Sequence, residues 1–460
     1  MAAPWSAEAP HGPAAPPVPG TLTHPARLVP LAFLVAIAIG TALLMLPPAR
    51  AGDGAAPLLV ALFTATSAVC VTGLVVVDTA AYWSGFGQAV ILALFQLGGF
   101  GIMSGATLLG LLVSRRLRLG TRLLAQAETR GLALGDVVDV LKLVLAVTLA
   151  VQAVLAAWLV LRLHVAHGEA WDAALWHGVF HAVAAFTNAG FSTYPGGAAA
   201  FAGDGLVLLP MMLGVVAGGI GMPVLHDLRR ERWHAGRWSL HTKITLLGTA
   251  VLLPAGMAAT LAFEWDNPAT LGAFRPAARA LHAAFHSVMA RSGGFNAVDI
   301  GAMADETLVV TYALMLIGGG SAGTAGGIKV GTTVVVGLIV WAEIRAERDT
   351  VAFGRRIAPE VQRQAVAVAL MAVAVVGLAT LLMLALTRLS LRDALFEVIS
   401  AFATVGLSTG ATPDLPAPAQ LAQVALMFMG RVGPVAVATA LALQGRQTPF
   451  RYPEERPIVG

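Results

Sequence analysis

Charged residues are scarce in this chain of 460 residues, since Asp, Glu, Lys and Arg together make up only 12% of it. Soluble domains contain about 25% charged residues. Hydrophobic residues make up 57% of the chain, and the mean hydropathy is +0.78. This composition predicts an integral membrane protein, and it leaves no room for a soluble enzyme domain of ordinary size.

Cysteine is almost absent as well. Cys70 is the single cysteine, which excludes an internal disulfide and any metal cluster held by cysteine thiolates. The apolar stretches contain almost no acidic residues, so the sequence shows no convergent cluster of carboxylates or histidines for catalysis. We therefore predict that the chain is not an enzyme and that it holds no cofactor of its own. No nucleic-acid partner is expected.

Long apolar stretches predict eight membrane spans, because a bilayer core takes about 20 helical residues. Four shorter apolar segments, too short to cross a bilayer, follow spans one, three, five and seven. The predicted fold is therefore all-α and integral to the membrane, in contact with lipid. The spans lie at about 28–46, 86–113, 138–163, 204–226, 242–263, 307–341, 364–387 and 418–443.

Each short apolar segment ends at a bend that contains glycine. The first segment runs from Leu58 to Ser67 and leads to Gly73. Non-helical backbone at membrane depth is tolerated only where it is buried or lines a water-filled path. The pattern recurs at Gly190, Gly294 and Gly406, and such recurrence predicts a structural unit used four times.

Each repeat is predicted to contain a helix, a short pore helix, a filter bend and a second helix, with four repeats around a pseudo-fourfold pore. Carbonyl groups at such bends can replace the water around a cation. An anion channel with broken helices is one alternative, and an integral membrane enzyme is another. The predicted segments are a disordered cytoplasmic leader (1–27), repeats at 28–113, 114–226, 227–341 and 342–443, and a cytoplasmic tail (444–460).

Basic residues cluster between the repeats and in the tail. The positive-inside rule places such clusters in the cytoplasm, so both termini are predicted to be cytoplasmic and the filter bends to open outward. The clusters are Arg115, Arg116, Arg118, Arg122 and Arg130; Arg229, Arg230, Arg232, Arg237 and Lys243; Arg345, Arg348, Arg355, Arg356 and Arg363; and Arg446, Arg451 and Arg456.

The sixth span contains a run in which six of ten residues, 318–327, are glycine. Each glycine inside a helix costs about 1 kcal/mol relative to alanine, so the run predicts a break that forms a flexible loop. Arg431 lies in the middle of an apolar span, where a charge is by default a functional candidate. We predict that Arg431 holds the loop by hydrogen bonds, that Lys329 contacts it, and that together they gate the pore.

Two further charges lie close to the filter bends. Arg291 stands at the base of the third bend, and Glu397 lies in the fourth pore helix. An unpaired charge at either place would be costly. We therefore predict that Arg291 and Glu397 pair across neighbouring repeats and brace the filter.

The motifs resemble those of the Ktr/Trk/HKT superfamily of potassium transporters, most closely the bacterial Ktr membrane subunits. The resemblance runs from about residue 28 to the end of the chain. Cys70 departs from the family pattern, where threonine is expected, and so does Gly293, where alanine is more usual. The resemblance rests on residues 64–74, 188–192, 294–296 and 404–408, on the glycine run, on Arg431, and on the tail residues 450–455.

The resemblance implies potassium uptake through a carbonyl-lined filter in the inner membrane of a bacterial cell. It also implies a homodimer and a cytosolic regulatory ring of the RCK type that binds ATP or ADP, and it leaves a role for sodium open. Potassium at the filter would be the only metal ion. The implied filter residues are Val71, Thr72, Gly73, Asn188, Ala189, Gly190, Ser292, Gly293, Gly294, Thr404, Val405 and Gly406, and the implied gate is Gly318, Gly319, Gly320, Ser321, Gly323, Thr324, Gly326, Gly327, Lys329 and Arg431.

Overall fold

The computed structural model describes residues 25–116, 137–232 and 234–443, with side chains at 29–105, 141–232 and 234–433. Helices dominate these ranges, and a two-stranded hairpin pairs β1 (Val351–Ala352) with β2 (Arg355–Arg356). The helices are α1 (Pro25–Leu44), α2 (Leu58–Val69), α3 (Thr79–Tyr82), α4 (Gly85–Arg116), α5 (Val137–His167), α6 (Trp171–Thr187), α7 (Gly205–Ile220), α8 (Met222–Glu231), α9 (Leu240–Glu264), α10 (Pro276–Met289), α11 (Asp305–Leu316), α12 (Val330–Ile344), α13 (Pro359–Leu386), α14 (Leu391–Phe402) and α15 (Ala417–Leu443).

Four short helices, α2, α6, α10 and α14, precede the four predicted filter bends. Local sequence signals set where they begin: α10 starts at Pro276, and the Ser390 side chain before α14 accepts a hydrogen bond from the Asp393 N–H. Their last turns are buried in the molecule. They match in position the four short apolar segments of the sequence, and they end inside the protein.

The long helices surround these four and turn apolar side chains outward. On α13, four aliphatic side chains are each at least 65% exposed: Leu370, Val373, Leu378 and Leu381. An exposed apolar face of this kind on a helix of 28 residues is typical of contact with lipid.

One close contact recurs in three repeats. A glycine of the second helix lies so close to a carbonyl at the end of the pore helix that no side chain fits between them. A Cβ at Gly98 would lie 2.0 Å from the Val69 oxygen, one at Gly218 would lie 1.8 Å from the Phe186 oxygen, and one at Gly430 would lie 1.7 Å from the Phe402 oxygen. Small residues thus let each second helix pack directly on the backbone of its pore helix.

Four helices in the described ranges are both long and apolar enough to cross a membrane, and there are five if one bent pair counts as a single span. The four span Gly85–Gly105, Leu141–His167, Leu240–Glu264 and Pro359–Leu386. The bent pair is α7 with α8, at an angle of 97°. The predicted total of eight spans stays a prediction.

Two predicted spans are not continuous helices. The fourth is interrupted at Gly221, which has φ +99° and whose Cβ position would lie 2.3 Å from the Ser321 oxygen. The sixth is split, because α11 ends at Leu316 and α12 begins only at Val330. The sequence predicts the break in the sixth span but not the break in the fourth.

Some predictions fall outside the described residues. These are the tail (444–460), most of the leader (1–27) and the side chains of the basic cluster between spans two and three. α1 begins at Pro25, inside the predicted leader. The boundaries of the four repeats and the cytoplasmic position of the termini stay predictions.

Candidate functional site

The four filter segments, residues 71–73, 188–190, 292–294 and 404–406, meet at one place. The last residue of each segment is a glycine that lies against the backbone of another segment. A Cβ added at Gly73 would lie 2.5 Å from the Ala189 oxygen, and one at Gly190 would lie 2.9 Å from the Gly294 Cα. A Cβ added at Gly294 would lie 2.7 Å from the Val405 oxygen, and one at Gly406 would lie 2.2 Å from the Thr72 oxygen. The contacts form a closed circuit, so main-chain atoms of all four segments line one narrow space.

The filter segments share an unusual backbone conformation. The first and last residue of each has a positive φ, a region that costs residues other than glycine about 1–2 kcal/mol. Strained backbone of this kind concentrates at functional sites. The φ values are 56° at Val71, 62° at Asn188, 67° at Ser292 and 48° at Thr404, with 91° at Gly73, 69° at Gly190, 76° at Gly294 and 92° at Gly406.

Serine side chains hold two of the four segments. Ser67 Oγ accepts a hydrogen bond from the Gly73 N–H at 3.1 Å, and Ser400 Oγ accepts one from the Gly406 N–H at 3.2 Å. The sequence analysis did not single out either serine. The signal was available, because each serine stands six residues before its filter glycine.

The glycine loop, residues 318–327, is a closed structure held at its base. The Gly318 N–H donates to the Ile328 oxygen, and the Ile328 N–H donates to the Leu316 oxygen, each at 2.9 Å. The loop also binds the end of α7, because the Gly320 N–H donates to the Gly219 oxygen at 2.7 Å and the Thr324 N–H donates to the Gly218 oxygen at 3.0 Å.

Two buried arginines and the half-buried Lys329 hold the glycine loop by its carbonyl groups. Arg431 Nη1 donates to the Thr324 oxygen at 2.6 Å, and Lys329 Nζ donates to the Ala325 oxygen at 2.6 Å. Arg291 Nη2 donates to the Gly318 oxygen at 2.9 Å. The structure thus brings together the loop, Lys329 and Arg431 as the sequence analysis expects, and it adds Arg291.

The glycine loop touches residues of all four predicted repeats. Thr324 lies near Gly99 of the first repeat, and its hydroxyl donates to Asn188 Oδ1 of the second at 2.7 Å. The Gly326 N–H donates to Ser292 Oγ of the third repeat at 2.9 Å, and a Cβ at Gly326 would lie 2.0 Å from Thr404 Oγ1 of the fourth. The loop therefore packs against α4 and against filter segments two, three and four.

The predicted pair of Arg291 and Glu397 is wrong. Arg291 is turned toward Gly318, and the buried carboxylate of Glu397 is satisfied within its own repeat. Glu397 Oε1 accepts from Ser408 Oγ at 2.6 Å and from the Thr409 N–H at 3.0 Å, and Oε2 accepts from Thr412 Oγ1 at 2.6 Å. Each charge has local partners, so neither needs the other.

Replacing Glu397 by glutamine is expected to lower the free energy of unfolding by about 2–3 kcal/mol, because hydrogen bonds to a charged group are worth about 1.5–3 kcal/mol. The NH2 of the new amide is a donor, and it would face other donors such as the Thr409 N–H, which cannot act as an acceptor. Reversible unfolding in mixed micelles measures the change. Glu360→Gln, at an exposed residue of α13, is the control and should change stability by less than about 0.5 kcal/mol. Equal stability of the two variants would contradict the role given to Glu397.

A polar network surrounds Asp204, the residue that precedes α7. Asp204 accepts hydrogen bonds from Arg162 Nε at 2.9 Å, from the Leu206 N–H at 2.9 Å and from His167 Nε2 at 2.8 Å. Burial raises the pKa of this carboxyl, but the hydrogen bonds outweigh it and hold the pKa below its usual value.

No group of three or more His, Cys, Asp or Glu that could bind a metal occurs among the described residues.

Known proteins with similar sequences are transport proteins. The Ktr system potassium uptake protein B of Bacillus subtilis is 36% identical over 438 residues, which cover 95% of this chain and 97% of that protein. The potassium/sodium uptake protein NtpJ of Enterococcus hirae is 32% identical over 450 residues, which cover 95% and 97%. These matches confirm the resemblance to the Ktr/Trk proteins and the prediction that the chain is not an enzyme.

The fold has a counterpart among solved structures. The crystal structure of the potassium transporter TrkH from Vibrio parahaemolyticus matches with a TM-score of 0.70 and 17% identity, covering 92% of this chain and 86% of that one. At that identity the likeness concerns the fold. A family model described as TrkH, cation transport protein, matches residues 22–448. Because the match covers most of the sequence, the chain belongs to the TrkH family of cation transport proteins.

Proposed function

We propose that the chain takes up potassium through the filter segments, whose carbonyl groups replace the water around the ion. The observation that carries the proposal is the closed circuit of Gly73, Gly190, Gly294 and Gly406, where backbone atoms of four segments face one space. The residues that supply the carbonyls are Val71, Thr72, Gly73, Asn188, Ala189, Gly190, Ser292, Gly293, Gly294, Thr404, Val405 and Gly406.

The direction of transport follows from the membrane potential. A potential of 100 mV, negative inside, supplies about 2.3 kcal/mol for each monovalent cation that enters. No hydrolysis by this chain is needed. The relatives named for potassium uptake and for potassium/sodium uptake support a monovalent cation as substrate, and we assign potassium as the principal one.

We assign the gate to the glycine loop with Lys329 and Arg431. The hydrogen bonds from Arg431 to Thr324 and from Lys329 to Ala325 support this assignment, and so does the contact of the loop with all four repeats. Displacement of the loop would open the path for the ion from the filter to the cytoplasm. In this proposal eight spans form four repeats, and the filter faces outward.

The regulated form is proposed to be a homodimer bound to a cytosolic ring of the RCK type, with ATP or ADP on the ring. Two relatives are named as proteins B and D of a Ktr system, which fits a chain that works with other components. The basic residues Arg229, Arg230, Arg237 and Lys243 lie on and beside α8, which extends from the loop contact. We place this surface in the cytoplasm of a bacterial cell whose inner membrane holds the chain.

Uptake in cells that lack their own potassium systems tests the proposal. We expect the chain, expressed with an RCK-type partner, to restore growth at low potassium and to accumulate the ion. Gly73→Ser should abolish this, since a Cβ at Gly73 would meet the Ala189 oxygen at 2.5 Å. Chloride flux instead of potassium flux would favour the anion channel, and equal uptake by both forms would overturn the filter assignment.

A further inference from the structure

The four filter segments are not held in the same way. Segments one and four are pinned by serines of their own pore helices, Ser67 and Ser400. At the corresponding position of the second pore helix stands Ala184, which has no hydroxyl group. The side chains of segments two and three instead bind the glycine loop.

The bond to segment two runs through Asn188. Its Oδ1 accepts a hydrogen bond from Thr324 Oγ1 at 2.7 Å, and the same hydroxyl lies 3.2 Å from the Phe186 oxygen. Asn188 is fully buried with φ +62°. Among the described residues its Nδ2 has no hydrogen-bond partner. The loop hydroxyl is therefore what fixes the side chain of this filter residue.

The bond to segment three continues into segment four. Ser292 Oγ accepts from the Gly326 N–H of the loop at 2.9 Å and donates its own hydrogen to the Thr404 oxygen at 2.8 Å. The Thr404 oxygen is one of the carbonyls assigned to the ion. One hydroxyl thus joins the loop to an ion-binding carbonyl of the neighbouring repeat.

We propose that Asn188 and Ser292 couple the ion occupancy of the filter to the position of the glycine loop. The proposal rests on the proposed function. When the loop is docked, Ser292 and Asn188 hold segments two, three and four in the geometry that binds the ion. When the loop leaves, these side chains lose their partners, so the filter binds potassium more weakly and releases it more readily.

Coupling between two equilibria is reciprocal. If the docked loop strengthens potassium binding, potassium in the filter must favour the docked loop by the same factor. A single hydrogen bond between neutral groups corresponds to about a fivefold change in an equilibrium constant. The loop position should therefore respond to potassium even when no ion is transported.

A thiol reporter in the loop measures its position independently of flux. Ser321→Cys places a thiol on a partly exposed loop residue, and a water-soluble maleimide reports how often it is accessible in the full-length protein. Cys70 is fully buried, so the unmodified chain gives the background. We expect labelling to be about fivefold slower in saturating potassium than in choline. Isothermal titration measures potassium binding on the same samples.

Four variants in the reporter chain test the route of coupling. Ser292→Ala and Thr324→Val each remove one of the two bonds between loop and filter, so the difference in labelling between potassium and choline should shrink in each. Thr324→Ser keeps the hydroxyl and should restore the difference. Ser400→Ala removes a bond to Gly406 without touching the loop, and the difference should remain even if potassium affinity falls. A thiol at exposed Ala235 is the control for reagent reactivity and should label equally in both salts.

The outcomes separate the two proposals. Potassium that binds without changing the labelling rate overturns the coupling and leaves the filter standing. A salt dependence of the rate that is undiminished in both Ser292→Ala and Thr324→Val also overturns it. A chain that binds no potassium at all overturns the proposed function, and the coupling falls with it.

Discussion

Replacing Gly406 by alanine should abolish potassium uptake, lowering the initial rate by at least about a hundredfold. A Cβ at this position would lie 2.2 Å from the Thr72 oxygen and 3.1 Å from the Gly73 Cα. Backbone atoms cannot rotate away as a side chain does, so the added methyl group must push two filter segments apart. A shift of that size removes carbonyl groups from contact distance of the ion. Rubidium-86 influx in vesicles measures the effect.

Gly410 provides the matched control because its backbone is almost the same. Its φ is +95°, compared with +92° at Gly406, but a Cβ there would meet nothing within 4 Å. Gly410→Ala therefore imposes the same conformational strain, about 1–2 kcal/mol, without the collision. Uptake by this variant should stay within about threefold of the unchanged chain. A comparable loss in both variants would mean that strain, not filter geometry, is responsible.

Replacing Arg431 by alanine should release the glycine loop and make uptake independent of the regulatory partner. The change removes the hydrogen bond from Nη1 to the Thr324 oxygen, and a bond from a charged donor is worth about 1.5–3 kcal/mol. The population with a displaced loop should rise by about ten- to a hundredfold. Flux into vesicles without the partner should increase accordingly, and nucleotide on the partner should no longer change it.

Arg392 is the control for this variant. Its Nη2 also donates to main-chain oxygens, those of Gly301 and Met303, at 2.9 and 2.8 Å. Neither oxygen belongs to the glycine loop. Arg392→Ala should lower stability yet leave the response to the partner intact. If Arg431→Ala keeps both the flux and its regulation, the gate assignment is wrong.

The pore helices and their glycines could be predicted because the signal repeats along the sequence. A short apolar segment followed by Gly-Leu or Gly-Phe appears four times. Backbone that leaves a helix at membrane depth must be buried in protein or line a water-filled path, so these segments are expected to end inside the molecule. The glycine run was equally readable, since six glycines in ten residues weaken any helix. Local composition sufficed in both cases.

The bend at Gly221 shows where composition misleads. Hydropathy reads 204–226 as one span, because a helix and a sharp turn made of the same residues are equally apolar. The sequence Gly221-Met222-Pro223 carries a helix-start signal, with proline in the first turn of α8. The apolar run on both sides of Gly221 masks this signal.

The partners of Arg291 and Glu397 depend on side-chain directions that spacing does not reveal. Opposite charges near one site suggest a pair, but Glu397 had nearer partners in the hydroxyl groups of Ser408, Thr409 and Thr412. These follow the filter within the same repeat, so a search for local hydroxyl groups would have found them. Arg291 instead binds the loop backbone, which no charge pattern indicates.

The right-angled turn between α7 and α8 makes Gly221 a pivot. α8 has 10 residues and is therefore about 15 Å long, and a tilt of about 5° moves its far end by about 1 Å. At the pivot the Met222 N–H donates to the Ala322 oxygen at 3.3 Å. Under the proposed gating, a pull on the basic end of α8 would act as a torque on the glycine loop at Ala322, some three helical turns away.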